Sequence, residues 1–387
     1  MRARSLGARI AVFYFLGFAA FGMYVPYFPE WLEARDVRGV WMGVVLAALP
    51  ALGIIAPPVI GALADALHLR GKVLRVATLV AAISFIFVAL SARLSGSVAL
   101  IVLALAIVVF GAMRSPITLI ADVLTLEALG VENTRYGLLR LWGSAGFLFG
   151  ALVAGDVFDP RAPYQVPLAI AGTYALTFGA SLLLPSRAAP MPALTWGAIK
   201  AAVPSVAFLF AVLLSQLGQS AYDVCFTLFA RDVGVTGARI GILWAVGVSA
   251  EIALMWKSSA LLSRYGDKPM LVVGLLGAAV RWGLLSRATG FFWILLLQPL
   301  HACSFACVWI AGIAIAARDS RHPATSQGVF SATLAVGAMA GMVAWGALYD
   351  ARGGSAVYAA AAIASVGACL VALFVRQSAA ASAGTIA

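Results

Sequence analysis

The sequence predicts an all-α membrane protein of twelve transmembrane helices, arranged as two pseudo-symmetric six-helix halves. Three observations carry this prediction. The composition is too apolar for a soluble chain, the apolar runs are long enough to cross a bilayer, and the second half of the chain repeats the first.

The chain has 387 residues, of which 63% are hydrophobic and 11% charged. A soluble domain carries roughly 25% charged and ~45–50% apolar residues, so this chain lacks the polar surface for that class. Twelve spans of ~20 residues take up about 240 positions and leave the remainder for loops and ends. That leaves no room for a soluble domain. It excludes a secreted disulfide scaffold, a nucleic-acid binder and a two-domain cytosolic enzyme. The apolar runs are unbroken rather than alternating, which argues against a membrane β-barrel. The net charge of +11 comes from basic residues scattered through short loops rather than gathered on one face. Cys225, Cys303, Cys307 and Cys369 all sit inside apolar runs and imply no disulfide framework.

The spans read as 10–30, 40–64, 73–92, 97–125, 136–156, 164–185, 204–229, 240–263, 269–287, 290–317, 326–348 and 355–375. Arg2, Arg4 and Arg9 ahead of the first run give it the look of a signal peptide. It has no small-residue cleavage site and opens a series of further spans, so it is counted as a span. With the amino terminus inside, the cytoplasmic connections hold 14 Lys and Arg residues and the opposite side 8. This bias places both ends in the cytoplasm, in a cytoplasmic (inner) membrane.

A shift of 191 carries residues 136–159 onto 327–350. Gly137, Gly146, Gly150 and Gly155 fall on Gly328, Gly337, Gly341 and Gly346, and Asp159 falls on Asp350. A shift of 198 carries 61-GALAD-65 onto 259-SALLS-263 and Tyr24 onto Tyr222. Each of those five-residue stretches leads into a basic loop, 68-HLRGK-72 or 264-RYGDK-268. The halves are therefore 1–185 and 204–387, joined by a cytoplasmic stretch at 186–203 that contains Pro190 and Pro192. Two parallel six-span repeats are an arrangement of secondary transporters, whose solute sites lie near mid-membrane. The repeated glycines also have a plain packing role, since small residues let helices approach closely.

An ionisable side chain in mid-span costs about 2.5–3.5 kcal/mol on insertion scales and marks a functional position by default. Eight qualify: Arg114, Asp122, Arg140, Asp223, Glu251, Lys257, Arg281 and His301. Arg114 and Asp122, eight apart, fall on roughly the same side of span 4, and Arg140 on span 5 can meet Asp122. Glu251 has no basic residue one turn away, so its partner comes from another span, with Arg281 the nearest by topology. Lys257 is close enough to the cytoplasmic end to snorkel. His301 shares the membrane interior with Glu251 and Arg281. Cys303 and Cys307 lie close by, but no fourth ligand completes a metal site. Tyr24, Tyr27 and Phe147 offer aromatic surfaces for a solute. There is no HExxH, no G-x-S-x-G and no phosphate loop, so neither an enzyme nor a cofactor is expected.

These residues resemble the major facilitator superfamily, and within it the branch of the lactose permease and the phenylpropionic acid porters. The run 135-RYGLLRLWGSAGF-147 is similar to the branch's span-5 motif, in which an arginine at the Arg140 position pairs with a carboxylate at the Asp122 position. The pair 222-YD-223 matches a span-7 Tyr-Asp, 280-VRWG-283 puts Arg281 at a span-9 arginine, and 300-LH-301 puts His301 at a span-10 histidine. The loop 61-GALADALHLRGK-72 resembles the superfamily's gating motif around Gly61 and Asp65, with Arg264 and Asp267 in the second-half counterpart. Ser304 stands where the lactose permease has its proton-carrying glutamate, Phe147 where it has a sugar-stacking tryptophan, and Glu251 within about a turn of its span-8 glutamate.

The resemblance implies alternating access by a monomer, with proton-coupled uptake of a small organic acid. Arg140 and Arg281 would hold the solute, Asp122 would orient Arg140, and Glu251, His301 and Asp223 would handle the proton. Export, or symport of a sugar or nucleoside, are the other readings of the same fold.

Overall fold

The computed structural model describes residues 2–66, 69–129, 136–159, 161–184, 203–318 and 323–376. The described residues form α-helices joined by short turns, and no strand occurs among them. In chain order the helices are α1 (Arg2–Glu33), α2 (Gly39–Ala66), α3 (Arg70–Ser91), α4 (Gly96–Leu129), α5 (Tyr136–Val157) and α6 (Gln165–Ser181). They continue as α7 (Val206–Asp232), α8 (Ala238–Trp256), α9 (Ser258–Tyr265), α10 (Asp267–Leu285), α11 (Phe291–Leu297), α12 (Val308–Arg318) and α13 (Pro323–Ala372).

Nine helical stretches among the described residues are long and apolar enough to cross a membrane. One of them, Ser326–Ala372, is 47 residues long. It bends at Gly353, whose φ of 74° lies in the left-handed region that a side chain disfavours. The expected spans 326–348 and 355–375 are therefore continuous helix on either side of that bend. α6 is 17 residues long, and α7 carries the polar stretch 215-SQLGQ-219 in its middle. The expected span 240–263 is interrupted at Lys257, which is exposed between α8 and α9.

Span 290–317 is also irregular. α11 passes into a 3₁₀ turn at Gln298–Leu300 and then a π-helical turn at Ala302–Cys307 before α12 resumes. Pro299 removes a backbone donor and crowds the preceding turn. The wider π turn absorbs the change, and such turns often lie at functional positions.

The outer surface is apolar. Trp41, Trp256, Phe292, Leu296 and Phe374 are all more than two-thirds exposed, as expected of helices solvated by lipid tails. Hydroxyls inside the helices bond backward to their own turn, as Ser84 does to the Val80 carbonyl and Thr177 to the Thr173 carbonyl. These two donors are thereby satisfied within their own helix.

The chain divides into two compact units. The first comprises Met1–Val37, Val44–Ala193 and Gly237–Gly241, and the second Arg38–Gly43, Leu194–Thr236 and Ile242–Ala387. Most of the stretch 186–203 lies outside the described residues. In the first unit α1 packs on α5 and α6, and α3 on α4 and α6. Its core is a run of rings, Tyr24, Phe28, Trp31, Phe85, Phe110 and Tyr174, meeting edge-on or stacked. In the second unit α7 and α10 both pack on α13, around Phe208, Leu271, Leu275, Ala311 and Phe330.

The repeat read from the sequence reappears as matched backbone contacts. A Cβ at Gly146 would strike the carbonyl of Phe15, and one at Gly150 that of Ala19. At the repeat-related glycines, a Cβ at Gly337 would strike the carbonyl of Leu213, and one at Gly341 that of Leu217. Leu213 and Leu217 follow Phe15 and Ala19 by 198 positions, the offset that separates Tyr222 from Tyr24. Both helix pairs therefore close through the same device, glycine against a carbonyl. Gly146→Ala is expected to lower stability by about 1–3 kcal/mol, because the neighbouring atom is backbone and cannot yield. Gly172 has open space around it, so Gly172→Ala serves as the neutral control. Thermal unfolding of the two variants in detergent separates them.

Candidate functional site

Each unit holds a cluster of mid-span polar residues. In the first, Asp122 on α4 accepts a hydrogen bond from the Tyr14 hydroxyl at 2.6 Å, and the same hydroxyl lies 3.3 Å from the Thr125 oxygen. Arg140 Nε on α5 lies 3.8 Å from Asp122 Oδ1. Its guanidinium rests on the rings of Phe18 and Tyr14, with 4.2 and 5.4 Å to the ring centres. Gly143 leaves the space for it, since a Cβ there would meet Arg140 Nη1. Asp122 and Arg140 are thus brought together, as their spacing suggests. The pair is long, and the side chains are 26% and 31% exposed.

The aromatic candidates of this unit have settled positions. The Tyr27 hydroxyl donates to the Ala151 carbonyl at 2.8 Å and so ties α1 to α5. Tyr24 is buried in the ring cluster, and Phe147 packs edge-on against Phe21. Arg114 does not join Asp122. It turns instead to Thr118 at 3.3 Å and the face of Phe21 at 4.5 Å.

In the second unit the centre is Arg281 on α10, which is fully buried. Its Nη1 lies 2.9 Å from both His301 Nδ1 and Ser304 Oγ, and its Nη2 donates to Gln298 Oε1 at 3.1 Å. Tyr222 and Trp282 both pack their rings against the guanidinium, with 4.3 and 4.5 Å to their ring centres. The Tyr222 hydroxyl donates to Gln298 Oε1 at 3.0 Å. The π-helical turn and the 3₁₀ turn before it place Gln298, His301 and Ser304 on one side, facing this cation.

The tautomer of His301 follows from donor logic. An arginine only donates, so Nδ1 must offer its lone pair and the ring proton sits on Nε2. That nitrogen faces Glu251 Oε2 on α8 at 3.4 Å. Cation, neutral imidazole and carboxylate thus form a chain across three helices. Glu251 reaches Arg281 through His301 and not directly. Asp223, next to Tyr222 on α7, is within electrostatic reach of Arg281 but forms no ion pair with it.

The gating residues fare unequally. Gly61 and Asp65 fall in α2, but their side chains lie outside the described residues. Asp267 accepts from Arg318 at 2.6 Å and from the Lys268 backbone at 2.6 Å, in the first turn of α10, where a carboxylate suits the helix dipole. Arg264 is exposed over the ring of Tyr265. Among the described residues no cluster of side chains is suited to hold a metal ion.

Sequence reasoning missed Tyr14, Gln298 and the part played by Ser304. Gln298 carried a usable signal, an amide in an otherwise apolar run. Tyr14 carried none, one tyrosine among several aromatics on span 1.

Three comparisons bear on this arrangement. A family model described as the MFS_1 like family matches residues 8–360. The chain is 30% identical to a "Probable 3-phenylpropionic acid transporter" of Escherichia coli (strain K12), over 95% of this chain and 96% of that one. It is 28% identical to a "Maltose permease" of Geobacillus stearothermophilus, over 76% and 74% of the two chains. In fold it is similar to a mutant of the nucleoside transporter NupG, with a TM-score of 0.84, 18% identity and coverage of 95% and 99%. It is also similar to the xylose transporter XylE from E. coli, with a TM-score of 0.69, 14% identity and coverage of 97% and 99%. With its apolar helices and paired mid-span charges, the chain belongs to the MFS_1 like family of major facilitator transporters and is a multi-pass membrane transporter of small molecules, not an enzyme.

Proposed function

We propose that this transporter carries a small organic acid together with a proton, by alternating access of its two halves. The observation that carries the reading is the chain Arg281–His301–Glu251. Arg281 is held by neutral acceptors, so a solute carboxylate can displace them and supply the missing negative charge. When it does, Nδ1 of His301 loses its donor and becomes free to accept a proton. The resulting imidazolium lies between the solute anion and Glu251. Each binding event favours the other, which is the thermodynamic requirement for coupling. Arg140, oriented by Asp122, offers a second cation. The gating residues of this reading are Gly61 and Asp65 in the first unit and Arg264 and Asp267 in the second, where Arg318 holds Asp267.

The relative whose name specifies 3-phenylpropionic acid supports an aromatic acid as solute. A monomer in the cytoplasmic membrane, both ends inside, is the form expected. The maltose permease relative favours a sugar as the second reading, with Asp122 and Arg140 as its hydroxyl partners.

The test is uptake by proteoliposomes loaded at alkaline pH and diluted into acidic buffer, with labelled 3-phenylpropionate and labelled maltose in parallel. The proposal expects 3-phenylpropionate to accumulate above equilibration and a protonophore to abolish the excess. Accumulation of maltose alone would favour the sugar reading, and outward pumping would make the chain an exporter.

A further inference from the structure

Of the mid-span arginines, Arg114 on α4 is the least neutralised. Arg140 faces Asp122, and Arg281 is linked through His301 to Glu251. Arg114 forms no ion pair with any carboxylate among the described residues. It donates to Thr118, a turn further along its own helix, and meets no negatively charged group there. Its Nε is buried with no partner.

Two more unsatisfied groups surround it. The hydroxyl of Tyr174 on α6, in a residue only 1% exposed, has the Arg114 guanidinium as its polar neighbour and no acceptor for its own proton. The hydroxyl of Tyr24 on α1 is likewise buried and unpartnered, within electrostatic reach of both. A buried donor without an acceptor is costly, and three around one cation are rare in a packed interior. A small cavity opens at this point, walled by Phe13, Phe18, Thr118, Tyr174 and Arg114. It has room for about one water molecule. A water could satisfy one donor but would leave the charge uncompensated.

We propose that Arg114, with the hydroxyl of Tyr174, forms an anion seat within the first unit that takes one oxygen of a monocarboxylate, with the buried Tyr24 hydroxyl behind it. The cavity admits one carboxylate oxygen and not an aromatic ring, so a bound acid keeps its ring outside. The seat serves either the carried acid or a free small anion such as chloride or formate. In the first case it rests on the organic-acid reading above and adds Arg114 to the residues that select for charge.

The test uses the full chain in detergent, with binding of 3-phenylpropionate and of its uncharged counterpart 3-phenylpropanamide. Arg114→Gln is expected to weaken the acid about 30-fold or more and the amide less than about threefold, since a charge-assisted bond is lost only for the acid. Tyr174→Phe is expected to weaken the acid about three- to tenfold, and Arg114→Lys to fall between. Those two variants keep the question open to measurement if Arg114→Gln does not fold. A second arm measures thermal unfolding in chloride, formate and gluconate. If the natural chain binds no 3-phenylpropionate, the organic-acid reading fails. A stabilisation by chloride or formate that Arg114→Gln abolishes would still uphold the seat, with a free anion as its ligand. Acid binding that is unchanged in both Arg114→Gln and Tyr174→Phe, or the lack of both acid binding and anion stabilisation in the natural chain, overturns it.

Discussion

Replacing Arg281 with alanine is expected to reduce solute-driven uptake at least about 100-fold, the largest single effect among these side chains, because the loss falls on binding and fold together. The guanidinium is wholly enclosed and serves His301, Ser304 and Gln298 at once. Its removal strands His301 Nδ1 and the Ser304 oxygen in a low-dielectric interior, at about 1–3 kcal/mol for each group left unsatisfied, while Gln298 Oε1 keeps the Tyr222 hydroxyl. Lysine is not expected to rescue the site. An ammonium cannot spread flat against the rings of Tyr222 and Trp282, nor can it reach three acceptors held by a fork-shaped donor. Thermal unfolding alongside uptake separates the two components. A destabilised protein that still binds 3-phenylpropionate with natural affinity would assign Arg281 to architecture alone.

Glu251→Gln is expected to uncouple the transporter. The amide keeps the shape and leaves His301 a neutral neighbour, but removes the negative charge 3.4 Å from His301 Nε2 that would stabilise an imidazolium. Solute-dependent proton movement should vanish, while exchange of labelled for unlabelled solute across the membrane persists within about threefold, because exchange needs no net proton transfer. Paired measurements of exchange and of vesicle pH read the two directly. If coupling survives in Glu251→Gln, the proton is carried elsewhere, and Asp223, within electrostatic reach of Arg281, becomes the group to test.

The sequence reveals the fold further than it reveals the site, for physical reasons. Lipid imposes one requirement on every span, so apolarity and length are enough to find most of them. Helix–helix contact imposes another, and the glycines at 146, 150, 337 and 341 record it because only their size admits a facing carbonyl. The limits of this reading appear at Gly353 and Lys257, where backbone geometry and not composition decides whether a helix continues.

The site depends on long side chains, and periodicity places only their Cα atoms. Arg114 and Asp122 share a side of the helix by count, yet Asp122 is taken up by Tyr14 and Arg140 while Arg114 turns to Thr118 and Phe21. Pro116 lies between them and removes one backbone donor from the helix. Topology suggested Arg281 as the partner of Glu251, and the structure inserts His301 between them. That intermediary is visible only once the turns at Gln298–Leu300 and Ala302–Cys307 bring Gln298, His301 and Ser304 round to face the cation.

The central claim is that an anion settling on Arg281 lets His301 take up a proton beside Glu251. The most direct measurement is the internal pH of potassium-clamped proteoliposomes as 3-phenylpropionate is added outside with no imposed gradient. The account predicts internal acidification that saturates with solute and exceeds that of protein-free vesicles. Saturable solute entry with an internal pH that matches protein-free vesicles would contradict it.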